Sequence, residues 1–134
     1  MASVGYSGTP LYKKLGITGN TQLLLVHPPN DYFDLLEADF SPSVVKSGKA
    51  ATLVHLFAVN ADMLEQSFLR LIAEVPPDAV IWISWYKKAA KIDTDITEDR
   101  IRAIVLPTGW VDVKVCAVSH QWSGLKIVQR KAHR

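Results

Sequence analysis

The chain has little of what the most recognisable chemistries require. One cysteine, Cys116, stands among 134 residues, so an intramolecular disulfide and a cysteine-based metal cluster are both excluded. Cys116 falls in the largely apolar stretch Val113–Val118, where a small buried thiol is expected. Long hydrophobic runs are missing too. The stretch Ala50–Val59, interrupted by His55, falls far short of the roughly 20 apolar residues that cross a membrane. The opening Met1–Tyr6 lacks the charged and then apolar regions of a signal peptide, and a cytoplasmic location is the expectation. Charge of one sign is scarce: 15 Lys and Arg against 13 Asp and Glu give a net charge of +2. Lys13, Lys14, Lys87, Lys88, Lys91, Arg130, Lys131 and Arg134 are dispersed, without the basic stripe that nucleic acid or an anionic membrane needs. The four histidines show no ligand spacing, so no metal is expected.

What remains is ordinary globular composition, 49% hydrophobic and 21% charged. No repeat, low-complexity tract or linker divides the sequence. The expectation is one α/β domain over 1–134, with an N-terminal arm and short helix in 1–20, a parallel βα core in 21–109 and a C-terminal hairpin in 110–130.

Periodicity supplies the elements. Thr9-Pro10 predicts a short helix over Leu11–Leu15, stopped by Gly16. Gln22–Val26 reads as a first strand ended by Pro28-Pro29, after which Asn30 is expected to cap a short helix through Leu36. Val44-Val45-Lys46 is a weak strand candidate. Leu53–Val59 and Ala79–Trp85 are strong strands, apolar throughout. Between them Asn60 opens a helix with Leu64, Phe68, Leu71, Ile72 and Val75 at helical spacing, stopped by Pro76-Pro77. Thr97 opens another, carrying Ile101, Ile104 and Val105 and ending near Pro107 and Gly109. Val111–Val115 and Leu125–Ile127 alternate apolar and polar residues. Alternation means one wet face, whereas unbroken apolar strands are covered on both faces. The fold expected is therefore a shortened Rossmann-like three-layer sandwich: a mostly parallel sheet of about six strands, ending in an antiparallel hairpin at one edge.

This order resembles the back half of class I methyltransferases. The similarity is carried by Pro77–Ser84, by the helix after Thr97, and by Gly109–Val113 with Gly124–Val128. Almost the whole chain is also similar to a family of small bacterial proteins that forms a domain of unknown function. Its motifs are Gly5-Tyr6-Ser7-Gly8-Thr9-Pro10-Leu11, Lys14-Leu15-Gly16-Ile17, Ser84-Trp85-Tyr86-Lys87-Lys88, Val111–Val118 and Trp122-Ser123-Gly124-Leu125-Lys126. That second resemblance implies a fold and no activity. Methyltransferases follow their first strand with a glycine-rich loop that lets the backbone approach S-adenosylmethionine, and an acidic residue after the second strand holds the ribose. Here the first strand runs into Val26-His27-Pro28-Pro29-Asn30-Asp31, where two prolines stiffen the chain and remove N–H donors. No cofactor is expected.

Other motifs fall short of their chemistry. Pro28-Pro29 lacks the preceding Asp or Asn and the following aromatic of the amino-methyltransferase loop. Gly5–Lys14 does not follow a strand and lacks the Lys-Ser/Thr of a phosphate loop, so it reads as an ordered arm. Asp93-Thr94-Asp95 with Glu98 and Asp99 lacks the calcium-loop glycine; Glu98 and Asp99 suit a helix N-terminus. Ser84 lacks the glycines of a nucleophile elbow. No catalytic residue is assigned.

In an open parallel sheet, ligands bind outside the carboxyl ends of the strands, near the switch in strand order. Three strands deliver His27, Asn60 and Trp85 to that rim, and Tyr86, Lys87 and Lys88 follow at once. Together they offer aromatic surface and cationic donors for an anion; the plainer alternative is solvated lysines and aromatics that close the core. Two functions follow. The first is a non-catalytic binding or interaction module, with Trp110 and Trp122 offering a surface for a second copy or a protein partner. The second is an enzyme or sensor that binds a small anionic or nucleotide ligand at the rim.

Overall fold

The computed structural model describes residues 8–131. The parts of the arm at Gly5–Ser7 and of the tail at His133 and Arg134 lie outside the described residues. Five strands form one sheet in the order β1-β2-β3-β5-β4, where β1 is Leu23–Val26, β2 Leu53–Phe57, β3 Val80–Tyr86, β4 Trp110–Ala117 and β5 Trp122–Gln129. β1, β2 and β3 run parallel, and β5 lies antiparallel between β3 and β4. The fold is thus the expected mixed α/β sheet, with five strands in place of about six. The difference sits at Val44-Val45-Lys46, which contributes a single parallel bridge, Leu23 to Val44, and one bond from the Val45 N–H to the Leu23 carbonyl at 2.8 Å. Three-ten turns at Ser41–Ser43 and Gly48–Ala50 hem this segment in and leave no length for a ladder.

Four helices cover the sheet in two layers. α3 (Ala61–Ile72) and α4 (Glu98–Val105) pack Leu64, Phe68, Leu71, Ile101 and Val105 onto Val54, Leu56, Ile81 and Ile83. α1 (Leu11–Leu15) and α2 (Tyr32–Leu36) pack Leu11, Leu15, Tyr32 and Leu36 onto Phe57 and Trp82 on the opposite face. Successive residues of β2 and β3 therefore enter two different cores, and all five residues of β2 are buried. This is the physical reason those strands read as unbroken apolar runs. The Trp82 indole N–H donates to the Leu15 carbonyl at 3.0 Å and ties α1 to the sheet centre.

The helix boundaries follow the capping chemistry. The Asn60 side chain accepts from the Met63 N–H at 2.8 Å and that of Thr97 from the Arg100 N–H at 3.1 Å. Gly16 ends α1 at φ 83° and Gly109 precedes β4 at φ 89°, where a β-carbon would be strained. Asn30 does not cap α2: the flanking residue is Asp31, which makes no side-chain cap bond. Gly124, opposite Ser84 on β5, is needed for a close approach, since a β-carbon there would meet Val118 Cγ2 at 2.9 Å and Trp82 Cε3 at 3.4 Å.

The bridge at Val44 lies on the outer side of β1, opposite β2. The chain therefore leaves β1 outward, touches its far edge and crosses back to β2. That reversal puts the topological switch between β1 and β2, so His27 and Asn60 flank it while Trp85–Lys88 stand one strand further on. No helix among the described residues is long and apolar enough to cross a membrane.

Candidate functional site

The carboxyl rim holds its residues in adjoining concavities rather than in one pocket. His27 and Asn60 line a small cleft of about 400 Å³ beside Gln66, Ser67 and Arg70 of α3. Trp85, Tyr86, Lys87 and Lys88 line a larger one of about 960 Å³, closed on its far side by Thr97, Glu98, Asp99 and Arg102 of α4 and its approach. The six rim residues expected to act together thus line two clefts, and only Asn60 and Tyr86 meet across a shallower concavity of about 620 Å³ between them.

The larger cleft is built by the segment linking β3 to α4. β3 ends at Tyr86, and the Lys87 N–H donates to the Gln121 carbonyl at 2.8 Å, which anchors the exit against the β4–β5 turn. A three-ten turn at Lys88–Ala90 then ends in Lys91 at φ 56°, a left-handed conformation unusual for lysine. Beyond it the segment is stitched to the start of α3. The Thr94 hydroxyl donates to the Val59 carbonyl at 2.9 Å, and the Asp95 carboxylate accepts from the Ala61 N–H at 2.8 Å. The wall is thereby fixed in place by contacts to a part of the chain more than 30 residues earlier. Trp85, 6% exposed, faces the α3/α4 core and acts as floor rather than as a free stacking surface.

The charges in this cleft nearly balance in number but are unevenly paired. Arg102 Nε reaches Asp112 at 2.9 Å, its Nη2 reaches Glu98 at 2.9 Å and its Nη1 reaches Asp99 at 3.3 Å. The bonds to Asp112 and then Glu98 hold the guanidinium above its ordinary pKa. Asp95 faces Arg100 at 3.9 Å. Every ion pair among the described residues belongs to these two arginines, so Lys87, Lys88 and Lys91 have no carboxylate partner. Asp93 is the one carboxylate of this wall left without such a bond among the described residues. No group of acids and histidines among the described residues is placed to hold a metal; the acids read as a helix-terminus cluster serve mainly to fix Arg100 and Arg102.

The feature least expected lies under the other face. His55, with no exposed surface, bonds through Nδ1 to the Tyr32 hydroxyl at 2.8 Å and through Nε2 to the Ser84 hydroxyl at 2.7 Å. Phe57 stacks on its ring at 4.3 Å between centroids. Burial pushes the His55 pKa down to about 3 and that of the Tyr32 phenol well above its usual value. The imidazole is therefore neutral, with one ring nitrogen donating and the other accepting. Sealed from solvent, these three groups tie α2, β2 and β3 together and present no nucleophile to a substrate. Cys116 is half-buried, and burial raises its pKa against the opposing charges of Lys14, Lys114 and Lys87, as suits an unreactive thiol. Trp110 and Trp122 are 3% and 7% exposed, packed into the two cores, and offer no surface to a partner.

Solved structures align with this architecture over most of its length. A protein from Sulfolobus solfataricus named as a candidate type 11 methyltransferase matches with a TM-score of 0.60 and 13% identity, covering 96% of this chain and 95% of that one. The fold is methyltransferase-like. A protein of the NADB-Rossmann superfamily from Streptococcus agalactiae matches with a TM-score of 0.55 and 9% identity over 91% of this chain and 68% of that one. The glycopeptide N-methyltransferase MtfA, solved with sinefungin, gives 0.51 and 8% over 96% and 94%. No family model and no curated protein matches the sequence.

Proposed function

We propose that this chain is a small-molecule binding module on a methyltransferase-like fold, taking an anionic ligand in the cleft between the end of β3 and α4. One observation carries the reading. Glu98 and Asp99 are engaged by Arg102, which leaves Asp93 as the one unpaired acid of the cleft, while Lys87, Lys88 and Lys91 stand without an ion-pair partner among the described residues around a volume of about 960 Å³. Ligand sites are commonly concave spaces of roughly 300–1,000 Å³ with a few convergent polar groups. The bonds from Thr94 and Asp95 to the start of α3 hold the wall in place, which lowers the ordering entropy that binding costs.

The turn after β1 does not fit S-adenosylmethionine. His27, at φ 55°, occupies a left-handed position where a glycine would be unstrained, and Pro28 and Pro29 offer no N–H to a ligand. α2 beyond it is only five residues long. The segment bridged to β1 at Val44 runs on into Lys46, where the resemblance calls for a carboxylate to hold a ribose. A cationic cofactor meets prolines and a lysine at this turn. These departures support a role without methyl transfer.

Thermal-shift and calorimetric titration of the purified chain with phosphorylated metabolites, nucleotides and S-adenosylmethionine test the proposal. At least one anion raises the melting temperature, and the double variant Lys87→Ala, Lys88→Ala abolishes that shift while unfolding at the temperature of the parent. A melting temperature raised by S-adenosylmethionine alone, or an anion shift untouched by the double variant, overturns it.

A further inference from the structure

We infer that the ligand of the β3–α4 cleft is two-ended and of the nucleoside phosphate class, a planar nitrogenous ring joined to phosphate; the inference rests on the anion reading above and extends it. The cleft does not stop at the lysines. Tyr86, Ile92, Asp93 and Thr94 border both it and a neighbouring shelf of about 620 Å³. The shelf offers mainly apolar surface, where the cleft offers the ammonium groups of Lys87, Lys88 and Lys91. Val59 is 40% exposed and Ile92 39%, two of the largest exposures of an aliphatic side chain on this rim. Trp122 stacks on the Tyr86 ring at 4.2 Å and 24°, which holds that ring in one orientation at the boundary.

The edge of the shelf carries unmatched hydrogen-bonding groups of both kinds. Asn60 uses its side-chain oxygen to cap α3, so its amide nitrogen keeps two N–H donors without a partner among the described residues. The Asp93 carboxylate is exposed and accepts no bond among the described residues. A ring that lies on Val59 and Ile92 thus meets donors on one side and an acceptor on the other. Nucleobases present acceptors and N–H groups around a flat apolar face, and such faces stack on apolar and aromatic surface. A fatty or simple carboxylic anion leaves Asn60 and Asp93 unmatched, and free phosphate leaves the shelf wet. The lysine wall, continuous with the shelf through Tyr86 and Ile92, then receives the phosphates.

Calorimetry on the full chain with nucleoside diphosphates, the parent nucleosides and inorganic pyrophosphate distinguishes the two halves. One nucleoside diphosphate is expected to bind at least about tenfold more tightly than pyrophosphate and than its own nucleoside. Val59→Asn, a neutral change at an exposed position that borders the shelf and not the lysine cleft, lowers nucleotide affinity by about tenfold and leaves pyrophosphate binding within about twofold; Lys87→Ala with Lys88→Ala weakens both. If pyrophosphate binds as tightly as every nucleotide, or Val59→Asn has no effect on nucleotides, the two-ended ligand is wrong while the anion site stands. If neither pyrophosphate nor any nucleotide binds, this inference falls, and loss of response to every other anion takes the anion site with it.

Discussion

The two faces of the sheet are made of different materials. Toward α3 and α4, β2 and β3 present Val54, Leu56, Ile81, Ile83 and Trp85, and the contact is hydrocarbon and indole throughout. Toward α1 and α2 the same two strands present His55, Phe57, Trp82 and Ser84, and α2 adds Tyr32. One face coheres by close packing alone. The other adds three hydrogen-bonding groups that must stay matched in a place water does not reach. The lesson is that adjacent positions on one strand respond to opposite kinds of damage: a lost methylene above, a lost partner below.

The largest effect expected from that contrast is on the hydrocarbon face. Phe68, fully buried on α3 and edge-on to Trp110 at 6.3 Å, anchors that helix. Phe68→Ala is predicted to cost about 3–5 kcal/mol, measured by urea unfolding. The polar face is predicted to answer differently. His55→Leu leaves the Tyr32 and Ser84 hydroxyls without a partner and costs about 2–4 kcal/mol. The triple variant His55→Leu, Tyr32→Phe, Ser84→Ala removes all three groups and recovers most of that loss, although it changes more atoms. If the triple variant is no more stable than His55→Leu, the network is not an all-or-none unit.

Acid sharpens the same contrast with a smaller signal. The unfolded chain takes a proton on His55 as pH falls through 6.5, whereas the folded chain resists until about 3. The contribution of the neutral imidazole is thus complete above 6.5 and is lost progressively as pH drops toward 3. Stability attributable to this one residue declines by up to about 1.4 kcal/mol per pH unit, roughly 2 kcal/mol by pH 5. The difference in unfolding free energy between parent and triple variant is expected to narrow over that interval. A constant difference from pH 7 to pH 5 contradicts the burial of a neutral histidine.

How much of this was legible beforehand depends on the range of the interaction. The helix starts at Asn60 and Thr97 follow from a short polar side chain that reaches an N–H three residues on, a signal held within one turn. The parallel core was legible because Leu53–Phe57 and Val80–Tyr86 must be apolar on both faces. Lys87 and Lys88 were placed on a cleft because the chain leaves a parallel strand there. The opposite wall was not, because Asp93–Asp99 satisfies a local rule, acids at a helix start, and gives no sign that Asp95 reaches Ala61 or that Asp112 of β4 joins the grip on Arg102. The Tyr32–His55–Ser84 contact was hidden for a related reason: its members stand 23 and 29 residues apart and meet only once the strands are in register. The trade of a sixth strand for one bridge at Val44 turns on the close turns around it, and strand propensity does not report those.

The outermost strand has a consequence of its own. Between Asp112 and Lys114 the ladder of β4 with β5 slips by one position, and Val113 bulges from it with 54% of its surface in water. A kinked border cannot serve as a straight template for another chain, and Lys114 adds charge to it. Two copies meeting rim to rim would have to flatten that irregularity first. A sheet with exposed valines on its open margin is thereby guarded against growing into a fibre.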